Sequence, residues 1–349
     1  MRIGFQAGTL NERGMSVALH DYAVGVQQEL GHEAFVFHNE AKSTPSVVEK
    51  FGRSVTLVPM KPDTDSRRVS EPFKLDFCYY IREGRAVPVD ITAGRSGVHA
   101  VFRHFEPHGD VYAYVSDWLA DWMSGGLAPA VPHIVDLPQA EGTLRQKLGI
   151  PREAFVVGRY GGYDQFNIPF AHSAVEEALR RRPDLWFLFV NTEKFIDHPR
   201  ALFLPSIVDP VEKSRFIATC DAGLNAKKIG ESFGLAIAEF LMAGRPVFSW
   251  AGGMDRNHVV MTPKPDWIYR TRRELVRLLV DYTPSSADGD LARHSVSQFL
   301  PGPVMRRFDE VFLSGGWSAG ALETSRAFRI KRLVQEKALR AQFRLWKSL

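Results

Sequence analysis

Apolar positions along the chain follow two alternating rhythms. Arg2 to Gln6 is a short apolar run that predicts a strand, and it leads into a glycine-containing loop from Gly8 to Gly14. Beyond the loop Ala18, Tyr22, Val26 and Leu30 recur every fourth residue, the spacing that places side chains on one buried face of a helix. Gly31 ends that helix, and His32 to Phe37 returns to the strand pattern. About 150 residues further on the same order repeats: Ala154 to Val157 predicts a strand, Gly158, Gly161 and Gly162 punctuate the turn, Ala171 to Arg181 predicts a helix and Trp186 to Val190 another strand. Two strand–glycine turn–helix openings predict two doubly wound α/β domains, with ligand held where the carboxyl ends of the strands face the cleft between them.

The length of 349 residues exceeds what one hydrophobic core usually fills and agrees with two domains. Ala128 to Pro138 holds three prolines, which restrict the backbone and remove amide donors, so the hinge is expected there. The expected boundaries are 1–136 for a first Rossmann-like, acceptor-side domain and 137–300 for a second, donor-binding one. Residues 301–349 are expected to form C-terminal helices that return to the first domain, and 314–325, rich in Gly, Ser and Ala, to form a linker before a basic tail.

The formal net charge of +4 is a property of that tail. Residues 325–349 carry eight Lys/Arg against Glu336 alone, so the rest of the chain keeps 36 of the 44 basic and 39 of the 40 acidic residues and is slightly acidic. A nucleic-acid partner is therefore not expected. Within the tail, Arg326, Lys331, Arg332 and Lys337 interleave with Phe328, Leu339, Phe343 and Trp346. Projected as a helix, Ile330, Leu333, Val334, Ala338, Ala341 and Leu345 share one stripe, and Arg329, Arg340, Arg344 and Lys347 an adjacent basic one. A buried stripe docks the helix on its own domain or on a second subunit; the alternative is a helix resting on an anionic membrane. No run of 18 apolar residues exists and Met1 leads directly into a strand-like stretch, so the expected location is the cytoplasm, with peripheral contact at the inner face of the membrane as an option for the tail. Cys78 and Cys220 lack metal-ligand spacing and are expected to be buried thiols.

The stretch from Gly230 to Phe248 carries the candidate chemistry. It predicts a helix opened by Ser232 to Gly234 and closed by Gly244, with a buried strand from Pro246. Free amides at a helix start favour a diphosphate, through both unsatisfied N–H groups and the helix dipole. Glu231 lies just before that start and Glu239 eight residues later, roughly 12 Å along a helix axis, a span that suits a ligand with hydroxyls at both ends. A hexose would meet Glu231, a diphosphate the amides of Phe233 to Leu235, and a ribose Glu239.

This stretch resembles the signature of the retaining glycosyltransferase family four, in which two Glu separated by seven residues frame a Phe-Gly-Leu turn. Leu144 to Pro151, Val157 to Arg159, Cys220 to Ala222 and Val247 to Gly253 follow the family's order, and Val131 to Asp136 resembles its interdomain linker. The likeness spans 1–290 loosely and 144–253 closely. It implies a GT-B fold, transfer of a sugar from a nucleotide diphosphate donor to a glycan, lipid-linked or small-molecule acceptor with retention of configuration, and no metal or cofactor. By position, Arg159 resembles the Arg that neutralises the leaving diphosphate, Glu239 the ribose acceptor and Glu231 the contact to the transferred sugar. Arg13 and Gly14 resemble the glycine turn near the phosphates, and His99 the donor-side His. The family's Lys shortly after the Arg has no counterpart between Tyr160 and Ile168, and Lys227 or Lys228 is expected to supply the second cation.

Other patterns carry less. His104 and His108 flank Glu106, but with His99 their spacings do not place three ligands on one face. Asp63 with Asp65 and Asp288 with Asp290 imitate a metal clamp that this architecture does not need. Gly316 to Gly320 matches a nucleophile elbow, yet no His or Asp follows Ser318 to complete a triad. Gly158 to Gly162 lacks the full glycine spacing of a dinucleotide loop. The rivals are a nucleotide-sugar epimerase and a non-catalytic sugar-nucleotide-binding protein.

Overall fold

The computed structural model describes residues 1–62 and 64–345, the last three of these as backbone. The chain divides into two compact units, Met1–Ile134 with Phe299–Leu333, and Val135–Gln298 with the segment from Val334 onward. Each unit is built on a six-stranded, wholly parallel sheet. The first comprises β1 (Arg2–Ala7), β2 (Glu33–Asn39), β3 (Thr56–Met60), β4 (Leu75–Arg82), β5 (Ala93–Ala100) and β6 (Val111–Tyr114) in the order β3-β2-β1-β4-β5-β6. The second unit continues with β7 (Phe155–Tyr160), β8 (Leu185–Val190), β9 (Ala201–Leu204), β10 (Ala222–Asn225), the two-residue β11 (Gly230–Glu231), β12 (Val247–Trp250), β13 (Asp255–Arg256) and β14 (Ile268–Tyr269). Its sheet order is β14-β12-β10-β7-β8-β9, and β11 pairs with β13 apart from it. Read from its other edge, the second sheet repeats the doubly wound order of the first.

Parallel strands covered on both faces must be apolar on both, and the central strands follow that rule: Phe35, Val36 and Phe37 of β2 and Phe187, Leu188 and Phe189 of β8 are all buried. In the helix Gly14–Gln28 the periodic residues Ala18, Tyr22 and Val26 are buried against β1, while Leu30 lies past the helix end. The helix Pro301–Phe308 packs on this helix, and the π-helical turn Asp309–Leu313 sends Val311 and Phe312 into the same core beside Phe77 and Tyr79. Pro129 to Pro132 are stitched to the first unit: Tyr114 N donates to Pro129 O, Val131 N to Tyr114 O and Tyr22 Oη to Pro132 O.

Residues 314–325 do not form a loose linker. Ala319 N donates to Asp110 O, and Ala319 and Thr324 are buried, so backbone bonding rather than small-residue composition governs the segment. In the second unit the helix Leu235–Met242 lies directly on β7 and β10, because Gly158 presents no side chain there. A Cβ at Gly158 would stand 2.3 Å from Cys220 Sγ and 3.0 Å from Phe240 Cζ. Cys78 and Cys220 are free and buried. Among the described residues no helix is long and apolar enough to cross a membrane.

Candidate active site

In each sheet the winding direction reverses once, and in the second sheet it does so between β7 and β10. The loops beyond the carboxyl ends of two such strands diverge, and open α/β sheets bind ligands there. Arg159 is the penultimate residue of β7, and Lys227 lies two residues past the end of β10.

Arg159 is 6% exposed, and its guanidinium is fixed by three acceptors. Nη1 donates to Asn191 O at 3.1 Å and Thr192 Oγ1 at 2.6 Å, and Nη2 to Gly162 O at 2.8 Å. Asn191 holds that geometry from a left-handed backbone (φ 47°) while its own Nδ2 donates to Gly161 O at 2.8 Å. Burial lowers the Arg159 pKa to about 10, opposed by the carboxylates of Glu231 and Asp164, so the group remains a cation at neutral pH.

Glu231 faces these cations from β11. Its Oε2 accepts from Lys227 Nζ at 2.8 Å, across a turn closed by Gly230 N donating to Lys227 O at 2.9 Å. Gly230 is obligatory in that turn: its φ is +84°, and a Cβ would fall 1.8 Å from Asp255 O. His258 buttresses the strand from below. Its Nδ1 accepts from Glu231 N at 3.3 Å and its Nε2 donates to Trp250 O at 2.7 Å, which assigns the neutral Nε2–H tautomer. Burial lowers its pKa to about 4, and the charges of Lys227 and Arg256 act in the same direction. Asn257 Nδ2 donates to Phe233 O at 2.7 Å and so fixes the turn into the next helix.

Gly234, left-handed at φ 95°, starts the helix Leu235–Met242 and offers no capping side chain. First-turn amides of such a helix are left to water or an anion. Ser232 and Leu235 are partly buried there and Phe233 is buried. The separation of Glu231 and Glu239 is not the helical one expected from sequence. Glu231 stands on β11, the left-handed Gly234 turns the chain, and only Leu235 to Glu239 rise along a helix axis. Glu239 is 3% exposed, and its Oε1 accepts from Lys213 Nζ at 2.7 Å. Lys213 in turn lies 5.7 Å over the ring of Tyr160. Lys228 contributes its backbone, donating from N to Asn167 Oδ1 at 2.8 Å.

The structure therefore brings Arg159, Lys227 and Glu231 together beside a helix start. The other predicted residues belong to the first unit. Arg13 and Gly14 open the helix Gly14–Gln28 after β1, beside that sheet's own point of reversal; both are exposed, and nothing lies within 4 Å of a Cβ placed on Gly14. His99 is an interior residue: 0% exposed, it accepts at Nδ1 from Tyr79 Oη at 2.6 Å and packs edge-on to Phe312 and His133. Burial lowers its pKa to about 4, so it is neutral and out of reach of a ligand in this conformation. His104 and His108 are tied to their own loop through Arg85 and the carbonyl of Glu106. Among the described residues no group of His, Cys, Asp and Glu is arranged to hold a metal ion.

Lys213, Thr192, Asn191 and His258 were not legible as site residues. Each meets its partner only through the fold, 26 residues apart for Lys213 and Glu239 and 33 for Arg159 and Thr192. The positive φ at Asn191 has a sequence correlate in the tolerance of Asn for that conformation, but a single Asn is a weak sign.

No family model matches the chain, and no curated protein matches it in sequence. Solved structures do match its fold. Anabaena HepE in complex with UDP-glucose superposes with a TM-score of 0.65 at 14% identity, covering 89% of this chain and 98% of that one. A glycosyltransferase from Rickettsia africae gives 0.67 at 12% identity over 89% and 97%. A protein from Listeria monocytogenes assigned as a UDP-N-acetylglucosamine 2-epimerase gives 0.58 at 11% over 89% and 95%. With the two doubly wound sheets, these likenesses establish the GT-B fold.

Proposed function

We propose that this chain is a glycosyltransferase that takes a sugar from a nucleotide diphosphate donor and passes it, with retention, to a glycan, lipid-linked or small-molecule acceptor. The observation that carries the proposal is the convergence of Arg159, Lys227 and Glu231 beside the uncapped helix start at Gly234. Two cations and a helix start without a side-chain cap suit a departing diphosphate, whose charge grows as the glycosidic bond breaks. Lys227 exchanges Glu231 for phosphate when donor enters, which frees Glu231 to accept from the sugar hydroxyls. Glu239, already pre-oriented by Lys213, takes the ribose hydroxyls. Lys228 and the turn Ser232 to Leu235 line the phosphate path. No carboxylate stands as a nucleophile in this scheme; the departing phosphate oxygen accepts the proton of the acceptor hydroxyl as that oxygen bonds to the anomeric carbon on the face being vacated. The cations and amides carry the role that a metal carries in other transferases, so the reaction needs neither metal nor cofactor.

An epimerase fits the same fold, as the Listeria likeness illustrates, and the chain without a Lys after Arg159 keeps a purely binding role as an alternative. A panel of labelled nucleotide sugars, with and without candidate acceptors, tests the three. Acceptor-dependent release of nucleoside diphosphate supports the transferase, an isomerised donor supports the epimerase, and binding without turnover supports the binding protein.

A further inference from the structure

The tail helix Arg326–Leu345 packs through the face opposite to the one its apolar pattern predicts. Arg332 Nη1 donates to Met123 O at 2.8 Å, and the Phe328 ring covers Gly125 so closely that a Cβ there would meet it at 2.9 Å. Phe328, Arg332, Glu336 and Leu339, which fall on one side at 100° per residue, are the partly buried ones. The stripe expected to be core looks outward: Ile330 is 54%, Leu333 53% and Val334 62% exposed, and Ala338 and Ala341 are exposed with them. Leu345, Arg344, Phe343, Trp346 and Lys347, the remaining members of the predicted stripes and aromatic set, have side chains outside the described residues. Arg329 and Arg340 lie along one margin of the outward stripe and Lys331 along the other, and Arg326 and Lys337 project within it; all five are exposed. The one acidic residue of the helix, Glu336, is spent on Arg340 at 2.6 Å.

We propose that this face docks on an anionic lipid surface. Aliphatic side chains at i, i+3 and i+4 between basic margins are what a helix lying in the headgroup plane presents, the apolar stripe entering the acyl boundary and the cations meeting lipid phosphates. A second copy is a poor occupant. A two-fold contact would set these cations against one another, and the helix's single carboxylate, Glu336, already answers Arg340. Nucleic acid would satisfy the cations and leave the aliphatic stripe in water.

The test uses the purified full chain, cosedimented with phosphatidylcholine vesicles and with vesicles that also contain phosphatidylglycerol. Binding is expected on the anionic vesicles at low salt, lost as rising salt shortens the screening length, and near background on the neutral ones. Arg329→Gln with Lys337→Gln should cut the partition coefficient by about fivefold for each charge removed. Ile330→Gln with Val334→Gln keeps the charge and should also cut it severalfold, which separates insertion from simple attraction. All four side chains point into solvent, so melting temperatures should be unchanged, and Lys337→Gln alone repeats the test if a double variant melts early. The proposal is overturned if the protein ignores anionic vesicles at low salt, binds both kinds equally, or binds equally in both double variants. A concentration-dependent dimer lost in Ile330→Gln/Val334→Gln, with no vesicle binding, would also overturn it, in favour of a second copy.

Discussion

The two sheets share a strand order and differ in what they place where that order reverses. In the first unit the turn after β1 carries the exposed Glu12 and Arg13, while the titratable groups behind it, His99, Tyr79 and Tyr22, are locked into an aromatic core. In the second unit the loops after β7 and β10 hold Arg159, Lys227 and Glu231 within reach of one another. The repeated architecture supplies two equivalent places to bind, and both carry charged loop residues, but only in the second are Arg159, Lys227 and Glu231 largely withdrawn from solvent and set against one another. Fold is therefore a poor guide to chemistry here, and the contrast between the two points of reversal is where it can be attacked.

The largest effect is expected at Arg159. Arg159→Met should lower turnover by about 10²-fold or more, as for loss of a donor that stabilises developing charge, whereas Arg13→Met, at an exposed position, should have a smaller effect. Steady-state rates well below the melting temperature check this, because Arg159 also satisfies three acceptors and its loss costs stability. Full turnover in Arg159→Met would remove the second unit's claim to the chemistry.

Next is acid stability, where the two units should behave alike. His258 and His99 both hold pKa values near 4 against an ordinary value of 6.5, because each is buried as the neutral ring. Between those pH values the unfolded chain binds the extra proton and the folded one does not. The stability owed to each neutral ring is whole above pH 6.5 and declines as pH falls toward 4, by roughly 3 kcal/mol for each residue. Urea unfolding at pH 7 and pH 4.5 measures the slope, and both His258→Gln and His99→Gln should flatten it. An unchanged slope in either variant shows that its ring was already free to protonate.

What the sequence disclosed follows from range. The openings at β1 and β7 rest on contacts between neighbours in sequence, and glycine punctuation with a four-residue apolar period announces them. The doubly wound class followed from seeing that opening twice. Gly234 and Gly244 likewise bound the helix Leu235–Met242 where local signals placed its ends. Pairing of β11 with β13, the Lys213–Glu239 contact and the His258 buttress depend on loops meeting in space, and no local period encodes them. His99 misled because position within a motif does not report burial. In the tail the strongest apolar stripe does not dock on its own domain but faces outward, while Phe328 against Gly125, the Arg332 bond to Met123 O and the Arg256 bond to Gln342 hold other faces of the helix, contacts that no local period announces.

The two carboxylates sharpen the comparison within the second unit. Glu239→Gln should weaken binding of the nucleoside diphosphate alone by about 1–3 kcal/mol, the range for a charge-assisted hydrogen bond. Glu231→Gln should spare that ligand and weaken only the nucleotide sugar. Calorimetric titration of both variants with both ligands decides, and equal losses with the diphosphate alone would void the division of roles. Lys227→Ala with Lys228→Ala should lower turnover by about tenfold with a smaller effect on donor affinity, since charge on the phosphate builds only as the bond breaks. EDTA should leave the parent rate unchanged. Unaltered turnover in the double variant would leave Lys227 as no more than the partner of Glu231.

The smallest effect concerns the first unit's turn, and its sign carries the information. Gly14 is the first residue of its helix, has no positive φ, and meets nothing within 4 Å of an added Cβ. On conformational grounds alone Gly14→Ala should stabilise the protein by about 0.4–1 kcal/mol, by restricting the unfolded chain at a site whose folded geometry accepts alanine. Nothing in the first unit's own packing asks for glycine there. The family likeness gives a different reason for it, a backbone that a phosphate approaches closely, and a methyl group would then obstruct the ligand. The expected outcome is therefore a melting temperature equal to or above the parent's together with weaker donor binding, read by differential scanning calorimetry and by titration of the same sample. A stabilised Gly14→Ala protein that binds donor as tightly as the parent would mean that the turn after β1 does not meet the phosphates, and that the contrast between the two points of reversal is complete.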